Sequence, residues 1–133
     1  MSYRILIVDD DDMARLPIER ALAAAGFETR AATSAPQALD RIVSEDVDLV
    51  ITERLLPESD GLRLVWRIKA EFPSVAVIVM TAMGSTRSAV EAMRLGALDY
   101  LVKPFETAAL LNLARRAIES PARSLAGPMP GTV

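Results

Sequence analysis

Apolar runs in this 133-residue chain stop abruptly at charged residues. Val8 runs into Asp9 and Asp10, the run Leu49 to Thr52 closes on Glu53, and Leu101 and Val102 give way to Lys103 and Pro104. A loop stiffened by Pro57 and closed by Asp60 and Gly61 follows Glu53, and a helical pattern begins after it. Apolar run, charge, turn residues and helix describe strands that deliver an acid, an acid pair and a lysine to the mouth of a sheet. Carboxylates that close repel one another unless a cation intervenes. A hard divalent ion such as Mg²⁺ answers that, taking one or two carboxylates plus water and phosphate oxygens. Lys103 brings a second positive charge from the opposite side, and Thr81 brings a hydroxyl at the end of a further apolar run. With the backbone N–H groups that follow Thr81, at Ala82 and Met83, they form a receptacle for a tetrahedral PO₃ group.

Positioning these groups requires strands and helices in alternation, and the pattern supplies them in order. Tyr3 to Val8 reads as a strand buried on both faces. A helix over Met13 to Ala25 offers Leu16, Ala21 and Leu22 as one face, with Pro17 near its front and Gly26 just past its end. Phe27 to Ala32 is a more polar strand, suited to an edge. Ser34 caps the next helix, with Pro36 in its first turn, Gln37 closing a capping box, and Ala38, Leu39, Ile42 and Val43 on one side. Leu49 to Thr52 is the central strand, and Leu62, Val65, Trp66 and Ile68 line a third helix that Pro73 stops. Val75 to Met80 is the fourth strand. Ser85 or Thr86 caps a helix carrying Val90, Met93 and Leu95, which Gly96 ends. Leu98 to Val102 is the last strand, and a fifth helix from about Glu106 to Ile118 offers Leu110, Leu111, Leu113 and Ile118 to the core.

Strict alternation of this kind makes a doubly wound parallel sheet with right-handed crossovers the economical topology. Ligands in such sheets gather at the carboxyl ends of the strands. Asp9, Asp10, Glu53, Thr81 and Lys103 all fall there. Singly, each has an ordinary explanation: a helix cap, a loop lysine, a threonine of high β-propensity. Their arrival at successive strand ends in one chain is what points to a site.

Composition narrows the function. A net charge of -3 argues against a surface built for nucleic-acid backbone. The chain has no cysteine, hence no disulfide framework, which fits a cytoplasmic protein. It has no histidine either, which removes His-metal sites and Ser-His nucleophile pairs. No apolar run approaches the ~20 residues of a membrane span, and the first residues lead into a strand rather than a signal peptide. Residues 1–120 are expected to form one domain, and 121–133 a Pro/Gly-rich tail or the start of a linker to an absent output domain.

Four stretches resemble the receiver domain of bacterial two-component response regulators. They are Ile5 to Asp10, the acid position 53 with Leu56-Pro57 and Asp60-Gly61 after it, Met80 to Ala82, and Asp99 to Phe105. The resemblance covers residues 3 to about 119. It implies an α/β fold of the flavodoxin-like, doubly wound (βα)5 kind: a parallel five-stranded sheet of strand order 2-1-3-4-5 in three α/β/α layers. It implies that Asp9, Asp10 and the acid at 53 hold Mg²⁺ with the backbone carbonyl of Leu55, and that Lys103 pairs with the phosphorylated acid. It further implies a switch pair of Thr81 and Tyr100, and a cis Lys103–Pro104 bond. A sensor histidine kinase or phosphotransfer protein would act on it in trans, and an output domain or protein would receive its signal. The fourth helix, last strand and fifth helix would form the output face and a possible homodimer contact, with Arg87, Glu91, Arg94, Asp99, Arg115 and Arg116 offered for ion pairs.

Glu53 departs from that pattern, because the family has Asp where phosphate is accepted. One methylene adds about 1.3 Å of reach, and transfer loses orders of magnitude from displacements of about 1 Å. The resemblance therefore implies an atypical, non-enzymatic module. It signals without phosphate, imitates the activated state in part, or is held closed by a Glu53–Lys103 pair, with Mg²⁺ weak or absent. A rival from another class is a phosphotransfer enzyme of the haloacid-dehalogenase kind with Asp9 as nucleophile and Asp11 two residues on. Met13 and the short chain count against it. A flavin binder is disfavoured because Asp9 to Asp12 would repel the phosphate.

Overall fold

A computed structural model of the chain describes residues 2–119. The expected tail at 121–133, and the domain boundary before it, lie outside the described residues. The main elements alternate without exception: β1 (Arg4–Val8), α1 (Asp12–Ala24), β2 (Glu28–Ala32), α2 (Ala35–Ser44), β3 (Leu49–Glu53), α3 (Gly61–Glu71), β4 (Ala76–Thr81), α4 (Thr86–Arg94), β5 (Asp99–Val102) and α5 (Thr107–Glu119). The strands of the main sheet are parallel and lie in the order β2-β1-β3-β4-β5, the flavodoxin-like order that the resemblance implies.

Because side chains alternate along a strand, the sheet separates two cores. Leu6, Val8, Val50, Val77 and Val79 face α2, α3 and α4, whereas Ile5, Ile7, Leu49, Ile51, Ile78 and Met80 face α1 and α5. Both sets are apolar, which is why the strands read as unbroken runs. The same parity decides where the charged residues go. Ile7 lies beside Ile51 in the sheet, and Asp9 and Glu53 each follow one of these isoleucines by two positions. Leu101 belongs to the same side, and Lys103 follows it by two. Thr81 and Tyr100 have the opposite parity, and Tyr100 packs against the core beneath α3 and α4.

Helix ends follow local chemistry. The side chains of Asp11, Ser34, Asp60 and Ser85 each accept a hydrogen bond from a backbone N–H two or three residues on. Gln37 closes its box on the N–H of Thr33, at 2.6 Å, rather than on that of the cap residue itself. Gly26 and Gly96 follow α1 and α4 with φ of 100° and 110°, the left-handed backbone that stops a helix.

Five residues expected in the core are on the outside. Leu16, Val43, Trp66, Val90 and Met93 are all exposed, Trp66 by 53% and Val43 by 73%. They lie outside the buried stripes, which run through Ile18, Ile42, Val65 and Ala92, and Val90, two residues before Ala92, is on the far side of α4. An apolar stripe of about 100° takes in only part of an apolar run. Pro17 lies inside α1, beyond the first turn. The carbonyl it leaves without a helical donor is that of exposed Met13, where water can serve.

A feature without a periodic signature follows β3. Leu55–Leu56 pairs antiparallel with Ser59–Asp60, so Pro57 and Glu58 fill a two-residue turn. Glu58 has φ of 56°, the conformation that glycine or asparagine ordinarily supplies at the second turn position after proline. The ribbon folds back hard on the strand that precedes it. A Cβ at Gly61 would collide with the carbonyl oxygen of Glu53. Replacing Glu58 by glycine relieves the left-handed strain at some cost in chain entropy, and should raise unfolding stability by roughly 0.5–1 kcal/mol. Urea denaturation reads this directly, and a lower midpoint for Glu58→Gly would contradict the assignment of strain to this turn.

Candidate functional site

The register described above delivers three charges to one point. Lys103 Nζ donates to Asp9 Oδ2 and to Glu53 Oε1, each at 3.1 Å. The side chains of Lys103, Asp9 and Glu53 are 19%, 3% and 12% exposed, so the group is largely withdrawn from water. Burial opposes the ammonium, but the hydrogen bonds and charges of Asp9 and Glu53 outweigh it and raise the Lys103 pKa above the ordinary lysine value. The remaining carboxylate oxygens are engaged as well. Asp9 Oδ1 accepts from Asp11 N at 3.0 Å, and Glu53 Oε2 accepts from Arg54 N at 2.6 Å. The Lys103–Pro104 bond is cis, and Lys103 N donates to the Thr81 carbonyl, which ties the end of β5 to the end of β4.

Other expected site residues are placed less directly. Thr81 is fully buried at the end of β4, and its hydroxyl accepts from Met83 N at 3.1 Å. Of the two expected cradle N–H groups, that of Met83 is therefore already engaged, while Ala82 is exposed beside it. The Tyr100 ring packs inward, and its hydroxyl is enclosed with no hydrogen-bond partner among the described residues. On the output face, Arg94 pairs with Glu91 of its own helix at 3.2 Å. Arg87, Arg115 and Arg116 are exposed, Asp99 is half-buried, and apolar Val90, Met93 and Val102 are exposed among them.

The expected metal set comes together only in part. Its donor types are hard carboxylate oxygens that suit Mg²⁺, which takes one or two carboxylates and fills its other positions with water and phosphate oxygens. Asp9 and Glu53 converge on Lys103, whereas Asp10 is exposed and Leu55 belongs to the exposed side of the ribbon. Among the described residues no three acidic side chains gather closely enough to hold a metal ion. The cation between the two buried carboxylates is the Lys103 ammonium.

Two arginines at the site were not singled out in the sequence. Arg15, on α1, is buried, and its Nη1 donates to the Asp9 carbonyl at 2.7 Å. Its spacing from Asp12 and Glu19, three back and four on, is the signal that marks such a pairing on one helix face. Arg54 lines the other flank, with its guanidinium 4.0 Å from Asp60.

Comparison with known proteins agrees with this geometry. Residues 5–115 match the family model described as the response regulator receiver domain. The chain belongs to the response regulator receiver family. Over 132 residues it is 41% identical to the response regulator protein FleR of Pseudomonas aeruginosa, a match covering 99% of this chain and 26% of that protein. Its fold aligns with a beryllofluoride-activated NtrC4 receiver domain dimer solved in solution. That alignment has a TM-score of 0.84 at 29% identity and covers 87% of this chain and 96% of the other. A response regulator protein from Burkholderia pseudomallei, solved with a phosphorylated aspartic acid, calcium ion and citrate, aligns at a TM-score of 0.80 and 25% identity, covering 92% and 70%. The receiver domain spans about a quarter of the length of the curated relatives it matches.

Receiver domains serve two-component signalling, are generally not enzymes, and typically bind Mg²⁺. These matches lend no support to the haloacid-dehalogenase-like reading. No helix among the described residues of this receiver domain is long and apolar enough to cross a membrane.

If the Lys103 ammonium holds the two buried acids together, removing it sets them against each other. Lys103→Met should lose roughly 2–4 kcal/mol of unfolding stability, toward the low end for a broken buried pair because the lysine keeps some solvent contact. A variant that unfolds at the parent's denaturant midpoint would show that the triad carries no such energy.

Proposed function

We propose that this receiver domain is the input module of a longer response regulator and that Glu53 keeps its acid pocket closed without phosphate. The observation that carries this is the double engagement of Glu53, with one oxygen on Lys103 and the other on Arg54 N. A carboxylate fixed at both oxygens and one methylene longer than Asp is displaced from the point where an incoming phosphoryl group would be attacked in line. Lys103, the group expected to steady a phosphorylated acid, is already committed to Glu53. Imitation of the activated state is the less favoured version, since the Thr81 hydroxyl is turned to Met83 N rather than to Glu53. In place of an added phosphate, the standing Glu53–Lys103 contact supplies the charge pairing that holds the site.

A radiolabelled small-molecule phosphodonor separates these cases. The parent should take up no stable label, whereas Glu53→Asp, which withdraws the carboxylate from Lys103, should become labelled on that residue. A stoichiometric, acid-stable and alkali-labile label on Glu53 itself would overturn the proposal.

Its partners follow from the same role. They are a sensor histidine kinase or phosphotransfer protein on the input side and an output domain or protein on the other, with the cytoplasm as the compartment where such partners meet. Nucleic-acid contact would belong to the output part and not to this domain. A second copy of the chain is proposed to dock on the face of α4, β5 and α5. Val90, Met93 and Val102 are exposed there between charged neighbours, and the activated NtrC4 receiver domain is described as a dimer. Apolar patches rimmed by charge mark such contacts. Met93→Glu should weaken self-association at least about tenfold in sedimentation equilibrium, by placing a charge in a desolvated contact. An unchanged association constant would exclude this face.

A further inference from the structure

Among the described residues, Arg15 is the one buried cation near the site that the proposal above leaves unused. Its side chain is 10% exposed, and each of its guanidinium nitrogens has an acceptor. Nη1 donates to the Asp9 carbonyl oxygen at 2.7 Å, Nη2 to Asp12 Oδ1, and Nε to Glu19 Oε2 at 3.1 Å. Burial opposes the charge, but the two acids more than compensate and raise the Arg15 pKa above the ordinary arginine value.

We infer that Arg15 is a positioning residue of the acid pocket: it clamps the Asp9 backbone from behind and so keeps the Asp9 carboxylate turned to Lys103. Four bonds fix Asp9 at separate points. Its N–H donates to the Ala32 carbonyl, its carbonyl accepts from Arg15, and its two carboxylate oxygens accept from Asp11 N and Lys103 Nζ. Three of these anchors come from the backbone or from Lys103 itself. Arg15 alone ties the residue to the body of α1, and it does so on the main chain, where rotation about the Asp9 backbone would redirect the side chain.

The contacts run from Asp12 and Glu19 to Arg15, from Arg15 to the main-chain carbonyl of Asp9, and from Lys103 to the carboxylates of Asp9 and Glu53. Such a chain is rigid only while each member stays satisfied. A planar fork suits this place, since its three separate nitrogens meet the Asp9 carbonyl, Asp12 and Glu19, whereas an ammonium presents all its donors from a single atom. The inference rests on the closed-pocket reading of Glu53 and Lys103 and extends it to α1.

The chain has two lysines, Lys69 and Lys103, which makes the test selective. Lys69 lies on α3 and donates to the carbonyls of Pro73 and Val75, at 2.8 Å each. It therefore serves as an internal reference for the state of the fold. In the full chain labelled with ¹⁵N-lysine, both ammonium groups should give resolved NMR signals. In Arg15→Met the Lys103 signal should broaden or vanish while that of Lys69 persists, and the Asp11 N–H should exchange at least about tenfold faster as its bond to Asp9 loosens. Arg15→Gln, a smaller disturbance to packing, should show the same selective loss. Glu19→Gln, which leaves the Asp9 contact in place, should not.

A Lys103 signal that stays sharp in a folded Arg15→Met protein would overturn the inference while leaving the receiver reading intact. Equal loss of both lysine signals in both Arg15 variants would also overturn it, by making Arg15 a general folding residue. Absence of the Lys103 signal from the parent would count against the closed pocket itself, and with it against this inference.

Discussion

An ammonium shared by two buried carboxylates is the constraint around which this molecule is arranged. Lys103 lies 94 residues from Asp9 and 50 from Glu53 along the chain, and no local preference brings them together. What does so is the parallel sheet, with β1 and β3 adjacent and β5 two strands further on. Such a grouping is costly to assemble and costly to break, because charges taken out of water depend on one another. The surrounding structure accordingly holds each member at more than one atom.

The same register keeps two jobs apart. Ions leave the sheet toward α1 and α5, while Thr81 and Tyr100 point to the side of α3 and α4. The two sides meet at the end of β4, where the Thr81 hydroxyl accepts from Met83 N and the Thr81 carbonyl accepts from Lys103 N. Tyr100, whose enclosed hydroxyl lacks a partner among the described residues, occupies a place that an inward ring fills by packing and not by hydrogen bonding.

The alternation of buried strands and capped helices was legible in the sequence because both signals are local. Apolar runs mark strands such as Val75 to Met80, and residues such as Ser34 and Gly96 mark helix ends by the conformations they favour. The convergence of Asp9, Glu53 and Lys103 was legible too, since strand ends of a parallel sheet must share one edge. The outward faces of Trp66, Val43 and Met93 were not, because an apolar residue at the margin of a stripe reads the same whether it is covered or bare. Nor was Arg15: its helix spacing is visible, but its bond to the Asp9 carbonyl depends on how α1 lies against β1. Asp10, one position on from Asp9, falls out of step with the parity shared by Asp9, Glu53 and Lys103, and it is exposed.

The outermost strand next to β1 carries a further consequence. Within β2, Glu28 pairs with Arg4 of β1 and Arg30 pairs with Glu45 at the end of α2, so the strand at this border of the sheet carries charged side chains of both signs. Charged side chains on an edge strand are one means by which natural sheets discourage pairing with a foreign strand and runaway growth into fibrils.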